Sequence, residues 1–417
     1  MHRCPYASVW LSTTLIALAA ASFAADEFES PPVLRATDIV PAALRQGDGF
    51  HVDDRVPTDG LTTHLRLVAD VGTFEVQGIE TLALRVGELQ ALRELGKASK
   101  TATFTRALAE TAKRPVKAAV QIAQHPVETV KGIPSGVGRF FDRVGAGGKR
   151  LYDTVTDDRQ SGEQRTKEVA ASTGQLTADA LGYEQERRKL AKQLGVDPYT
   201  TNRALSEKLD EFAKVAFYGR VGLNTLISVV VPASLFITGT SATRDLVYDT
   251  PRGDLIVRNE AALRAMGVPD QSLRALQRAP GVTLSVQTEL IHQLETLAGV
   301  TGRPAVVALA ATATTTDEAL FLLRGTRMLA AWHAQHPLAE VHAVGTLFGR
   351  GTDGTIVVPG AVDYVSWTRR ISRFAARADL AAPTRMMRVT GRMTPRARSG
   401  LETLGWTVAE NVPADLR

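Results

Sequence analysis

Apolar and polar positions alternate between Thr62 and Val76. Leu65, Leu67 and Ala69 share one face, Val71-Gly72 falls at a turn, and Phe74 and Val76 follow. A period of two around such a turn predicts a β-hairpin. From Glu80 the period lengthens. Leu82, Val86, Leu89, Leu92 and Leu95 recur three or four apart, which predicts a helix. The preceding stretch, Ala25 to Gly60, is rich in Pro and Asp with little periodicity and reads as an extended lead-in. A charged helical pattern runs from Thr154 to Leu194, where Gly195 supplies a C-terminal stop. Leu205, Leu209, Phe212 and Ala216 then line one face of a helix from Arg203 to Tyr218.

The pattern beyond Leu246 mixes both periods. Helices are predicted over Asn259 to Met266, Asp270 to Leu276 and Val286 to Leu297, and a strand over Ala305 to Leu309. Thr315 with Glu318 forms a capping box that opens a helix from Ala319 to His333. Val341 to Phe348 and Thr355 to Val358 read as a hairpin across Gly349 to Gly354. Asp363 to Phe374 reads as helix and Met387 to Met393 as strand. Thr394-Pro395 starts a helix that Leu404-Gly405 closes, and Trp406 to Val408 is a last strand. The fold class expected is helix-rich α+β: an N-terminal β-hairpin, central amphipathic helices and a C-terminal α/β unit.

The first 24 residues carry an address. A short basic start at Arg3, an uncharged run from Val9 to Ala21 and the small-residue close Ser22-Phe23-Ala24 make a secretory signal. The organisation expected is therefore a signal peptide at 1–24, then the lead-in, hairpin and helix at 25–100. A basic helical region punctuated by Gly and Pro follows at 101–220, an apolar segment at 221–245 and the α/β domain at 246–417. Export predicts a periplasmic or outer-membrane-associated location. The one cysteine, Cys4, lies within the signal, so the remainder can form no disulfide and no thiolate site.

Charge changes the picture of the middle region. Between Arg93 and Arg150, 12 basic residues face 4 acidic ones. Arg114-Pro115-Val116-Lys117 is echoed by His125-Pro126-Val127-Glu128, two helices each opened by proline, before the Gly-rich run around Phe140-Phe141. Lys117, Lys131, Arg139, Phe140, Phe141, Arg143, Lys149 and Arg150 together read as a membrane-contact surface. Between Arg369 and Arg398, nine arginines accompany one acid, Asp379. Two basic zones on an exported chain point to anionic lipid or an acidic envelope polymer as partner, and nucleic acid is not expected. Val221 to Ala242 holds no charge and is long enough to span a bilayer. Its many polar residues and Pro232 suit a buried helical hairpin equally well.

Candidate chemistry is sparse, and no cofactor is expected. Gly349-Arg350-Gly351-Thr352-Asp353-Gly354 matches the dinucleotide fingerprint by letter. Thr355 to Val358 continues as strand rather than helix, so the run reads as a turn. His333, His336 and His342 could share a metal with Glu340 or Asp363, the core of an alternative reading as a periplasmic metal-dependent hydrolase. Asp245, Asp249 and Asp254 among Arg244, Arg252 and Arg258 form a second polar cluster around Tyr248.

The segments His125-Pro126-Val127-Glu128-Thr129-Val130-Lys131-Gly132-Ile133-Pro134 and Leu194 to Asn202 resemble exported proteobacterial proteins of a family of unknown function. That resemblance implies location and no activity. The Pro126 to Gly132 run is also similar to helical segments in pre-toxin regions of polymorphic toxins, which adds a secreted membrane-perturbing effector as a further alternative. The function expected first is non-enzymatic: peripheral association with an anionic membrane, with the C-terminal domain as binding module.

Overall fold

The computed structural model describes residues 27–112, 137, 140, 178–227, 240–343 and 345–413. Its class is helix-rich α+β, as the two periods in the sequence predict. The N-terminal unit holds β1 (Val33–Arg35), α1 (Ala36–Ile39), α2 (Ala42–Arg45), β2 (Gln46–Gly47), β3 (Phe50–Val52), β4 (Arg55–Pro57), β5 (His64–Ala69) and β6 (Gly72–Gln77). β5 and β6 are the expected hairpin, with Ala69 opposite Gly72 across Asp70-Val71. Gly72 takes φ +140, a region that L side chains avoid. The hairpin is half of an antiparallel sheet in the order β2-β3-β5-β6, while β1 pairs with β4. The expected extended lead-in is therefore corrected: it supplies four strands. Strands of two or three residues are too short to show a period, which is why they are invisible as a pattern.

Helix α3 (Ile79–Ala98) links two cores. Leu82 and Leu89 belong to the N-terminal core, Leu92 and Leu95 to the helical one. The helical unit continues with α4 (Ala102–Ala112), α5 (Ala178–Leu194), α6 (Arg203–Gly219), α7 (Leu223–Leu226) and α8 (Ser241–Asp249). α4 and α5 both pack on α6, and the Phe104 and Phe212 rings stack 4.3 Å apart between α4 and α6. Asn202 caps α6 by accepting from the Leu205 N–H, and Arg220 ends it in the left-handed region at φ 54. Gly195, at φ +65, terminates α5 as the sequence predicts. The centre of the uncharged 221–242 segment lies outside the described residues.

The C-terminal unit places α9 (Arg252–Ala265), α10 (Asp270–Arg278), α11 (Leu284–Thr296), α12 (Arg303–Ala310) and α13 (Thr316–His333) ahead of the sheet. The strand expected over Ala305–Leu309 is instead helix α12. Pro304 occupies its first turn, and Val306 through Ala310 are all buried, so the apolar run shows no solvent face and no period. Thr315 caps α13 by accepting from the Glu318 N–H, while the Glu318 carboxylate reaches back to the Thr314 N–H at 2.7 Å. The capping box is thus present but displaced by one residue.

The sheet comprises β7 (Leu338–His342), β8 (Phe348–Gly351), β9 (Ile356–Gly360), β11 (Arg385–Val389) and β13 (Thr407–Ala409), in the order β13-β11-β9-β8-β7. β7, β8 and β9 are antiparallel; β9, β11 and β13 are parallel. The expected hairpin across 349–354 becomes a meander, because Gly349 to Gly351 lie within β8 and the turn narrows to Thr352–Thr355. The helix expected over 363–374 divides into β10 (Tyr364–Val365) and α14 (Arg369–Ala375). β10 pairs with β12 (Arg392–Met393), and α15 (Pro395–Thr403) crosses to β13. Main-chain bonds tie the N-terminal unit to this end: the Asp363 and Tyr364 N–H groups donate to Leu61 O, and Ser366 N–H to Gly60 O. Gly391 permits the crossing, since a Cβ there would lie 1.9 Å from the Asp363 carbonyl oxygen.

Candidate functional site: an arginine layer and a carboxylate seam

The second basic zone becomes a surface. Thr368 caps α14 by accepting from the Ile371 N–H, and the helix buries Ile371 and Ala375. Positions four apart share a helix face, so the inward pair leaves Arg369 and Arg373 directed to solvent. Thr394 caps α15, which buries Ala397 and Leu401 and leaves Arg398 exposed. The two helices pack against each other, and Arg392 is exposed just before α15. Several of these cations are held in place. Arg369 lies 5.4 Å over the Phe28 ring, Arg392 donates to Asp38 O at 3.3 Å, and Arg398 pairs with Glu410. Arg377 pairs with Asp379 at 2.5 Å, which holds that carboxyl below the usual range. The result is an ordered cationic face with its few acids already engaged.

The first basic zone stands differently. Lys117, Lys131, Arg139, Phe141, Arg143, Lys149 and Arg150 lie outside the described residues. Phe140 is described, and its expected role at a membrane surface is corrected. It is 3% exposed in the C-terminal core, edge-on to Phe321 at 6.3 Å between ring centres. An aromatic ring gains as much from a protein core as from lipid, so its place in the sequence does not separate the two.

The three histidines engage separate partners. His333 Nδ1 accepts from the Leu338 N–H at 2.9 Å and so helps close α13. His336 stacks on Trp332, 3.9 Å between ring centres. His342 stacks on Phe348 at 4.5 Å, with Nε2 2.8 Å from Glu340 but outside hydrogen-bonding geometry. Asp363 is engaged elsewhere. Among the described residues no three His, Cys, Asp or Glu side chains gather as a metal site. The polar cluster around Tyr248 also disperses: Asp249 pairs with Lys192 at 2.6 Å, and the Tyr248 hydroxyl donates to Val196 O. Asp353 accepts from the Thr355 N–H and hydroxyl, which makes the Gly349–Gly354 run a stable turn.

Sequence reasoning missed a seam of buried carboxylates where the units meet. Asp363 follows β9 and accepts from the Thr63 hydroxyl (2.7 Å), the Thr63 N–H (2.9 Å) and the Ile79 N–H (3.2 Å). Asp317, in the first turn of α13, accepts from the Thr81 hydroxyl of α3 at 2.6 Å. One residue away on α3, Glu80 pairs with Arg324. Asp197 accepts from Ser285 Oγ at 2.6 Å and from the Tyr199 N–H at 2.8 Å, joining the helical unit to α11. Desolvation, opposed by those hydrogen bonds, pushes Asp197 and Asp317 up to about 6 and also raises Asp363. Glu80 apart, each carboxylate meets at least one neutral donor contributed by a distant stretch of chain. No local spacing marks such a pairing, and the only signal was an acid beside an apolar run.

Among the described residues no helix is long and apolar enough to cross a membrane. No protein-family model, curated protein or solved structure matches this chain.

Proposed function

We propose that this is an exported, non-enzymatic protein that associates peripherally with an anionic membrane surface and presents its C-terminal domain as a binding module. The observation that carries this reading is the exposure of Arg369, Arg373, Arg392 and Arg398 together at α14 and α15. Each basic side chain near an anionic surface contributes roughly 1 kcal/mol of attraction, and salt screens it over a Debye length of about 8–10 Å. The basic stretch from Arg114 to Arg150 supports the same reading. Within it, Phe140 is buried in the C-terminal core. In this form of the proposal Lys117, Lys131, Arg139, Arg143, Lys149 and Arg150 supply charge, and Phe140 supplies anchorage to the protein rather than to lipid.

The test is flotation of the protein with phosphatidylglycerol-containing and pure phosphatidylcholine vesicles at low and high salt. Binding to the anionic vesicles alone, lost in high salt and reduced by R369E/R373E/R398E, is expected. Equal flotation with both vesicles, or binding untouched by that variant and by R139E/R143E, overturns the reading.

A further inference from the structure

Helix α5 carries two very different polar faces. Arg187 is fully engaged: Nε donates to Pro198 O at 2.9 Å, Nη2 donates to Ser206 Oγ at 3.0 Å, and the guanidinium pairs with Asp210. Its neighbours Glu184 and Arg188, one helical turn apart, are just as deeply buried, at 7% and 6% exposure. Yet Glu184 Oε2 and Arg188 Nε have no hydrogen-bond partner, and the buried Tyr199 hydroxyl has none either. These atoms belong to one place. Arg187, next to Arg188 on α5, bonds to the carbonyl of Pro198, which directly precedes Tyr199, and the Arg252 guanidinium lies 5.7 Å over the Tyr199 ring; the charges of Glu184 and Arg188 also bear on the Tyr199 hydroxyl. Asp197, which also faces it, is already engaged by Ser285 and the Tyr199 N–H.

Buried polar groups without partners are rare, and three at one spot call for something to satisfy them. Each one left bare forfeits the hydration it had in the unfolded chain and gains nothing in return. The chemistry of the cluster is specific. Two guanidinium groups and a phenol can donate, and one carboxylate can accept. Burial pushes the Tyr199 hydroxyl up to about 12, so it stays a protonated donor at ordinary pH. Glu184 and Arg188 are buried, while Tyr199 and Arg252 are partly exposed.

We propose that Glu184, Arg188, Tyr199 and Arg252 form a binding site for a small carboxylate that also carries a hydrogen-bond donor, a hydroxy- or amino-carboxylic acid. The ligand's carboxylate is received by Arg188, Arg252 and the Tyr199 hydroxyl, and its hydroxyl or amine donates to Glu184. The site is separate from the arginine layer, so its failure leaves the vesicle experiment unaffected.

Isothermal titration of the full chain with glycolate, glycine, acetate and inorganic phosphate tests it. Saturable 1:1 binding of glycolate or glycine is expected, at least tenfold tighter than acetate. E184Q removes that discrimination and R188Q abolishes binding, each checked for an intact thermal transition. Y199F deletes only an unpaired buried hydroxyl, so it folds in any case and weakens binding about tenfold. No saturable binding by any of the four probes, tighter binding of phosphate than of glycolate, or affinity unchanged in Y199F overturns the proposal. So does a crystal structure in saturating glycolate that shows only ordered water among these side chains.

Discussion

The carboxylate seam and the arginine layer use charge in opposite ways. In the seam, Asp363 and Asp197 are buried, and their partners are hydroxyl and backbone N–H groups rather than cations. In the layer, Arg369, Arg373, Arg392 and Arg398 face water, and Arg369, Arg392 and Arg398 lean on an aromatic ring, a carbonyl or an acid. Desolvation makes every lost bond expensive in the first setting, and solvent screening makes most pairs nearly neutral to stability in the second. The seam should therefore govern folding and its pH dependence. The layer should govern adhesion and its salt dependence. Four substitution experiments can separate or merge the two.

The largest effect belongs to Asp363→Ala. It strips the acceptor from the Thr63 N–H, the Thr63 hydroxyl and the Ile79 N–H at a buried junction. Leaving such donors bare costs about 1–3 kcal/mol each, with some relief from water entering the space, so a loss of about 4 kcal/mol is expected in urea unfolding. A loss under about 1 kcal/mol would mean that the junction is already open in solution. Vesicle binding by the folded fraction should be unchanged.

The second effect is a pH dependence with a defined sign. Asp197 and Asp317 have folded-state values near 6, above the 3.8 of an ordinary aspartate. An acid raised by folding favours the folded state when protonated. Its contribution is complete below about 4 and is lost as pH rises through about 6. Thermal stability should therefore increase from pH 7.5 to pH 5. For the deeply buried Asp197 the shift corresponds to on the order of 3 kcal/mol at most. Asp317→Asn keeps an oxygen to accept from Thr81 and should flatten its share of the profile. A melting temperature that is level or falls over that range contradicts the burial of both carboxyls. The lowered groups, Asp353 and Asp379, are exposed or largely so and act only in more acid solution.

Adhesion supplies the third. R369E/R373E/R398E removes three attractions of roughly 1 kcal/mol each, so affinity for anionic vesicles at low salt should fall about 100-fold or more. Urea unfolding should shift by less than about 0.5 kcal/mol per site, as exposed charges rarely contribute more. A large stability change would show that the layer is structural, which would erase the distinction between the two regions.

What could be read from the chain follows the same division between local and distant partners. The β5–β6 hairpin, the course of α3, the Thr394 cap and the closure at Gly405 were legible because their causes lie within a few residues. The arginine layer was half legible. Composition gave the nine arginines, but only the inward turn of Ile371 and Ala375 makes a face of them. Helix α12 was misread because a fully buried run has no period, although Pro304 directly after Gly302-Arg303 signalled a helix start. The role of Asp363 was not legible: the sequence offers it as a metal ligand, whereas its partners Thr63 and Ile79 stand 300 and 284 positions away. Glu184 and Arg188 have the spacing of an ordinary i, i+4 pair on a charged helix, and burial alone changes their meaning.

The smallest effect is the most discriminating, because Arg398 takes part in both behaviours. Its guanidinium pairs with Glu410, whose other oxygen accepts from the Met393 N–H at 3.1 Å. The side chain of Arg398 is 45% exposed and that of Glu410 14%. Arg398→Gln keeps a neutral donor toward Glu410 and leaves its bond to Met393 intact. An exposed cation of this kind contributes about 0.2–1 kcal/mol, so a stability loss near 0.5 kcal/mol is expected in urea. Affinity for anionic vesicles should fall about fivefold at low salt and not measurably at high salt, the signature of a screened charge. A stability loss above about 2 kcal/mol would instead place Arg398 with the seam, since Glu410 would then behave as a desolvated anion that needs its cation. Salt-independent loss of vesicle binding would place it there too, because a charge working at the surface must respond to screening and a collapsed helix α15 would not.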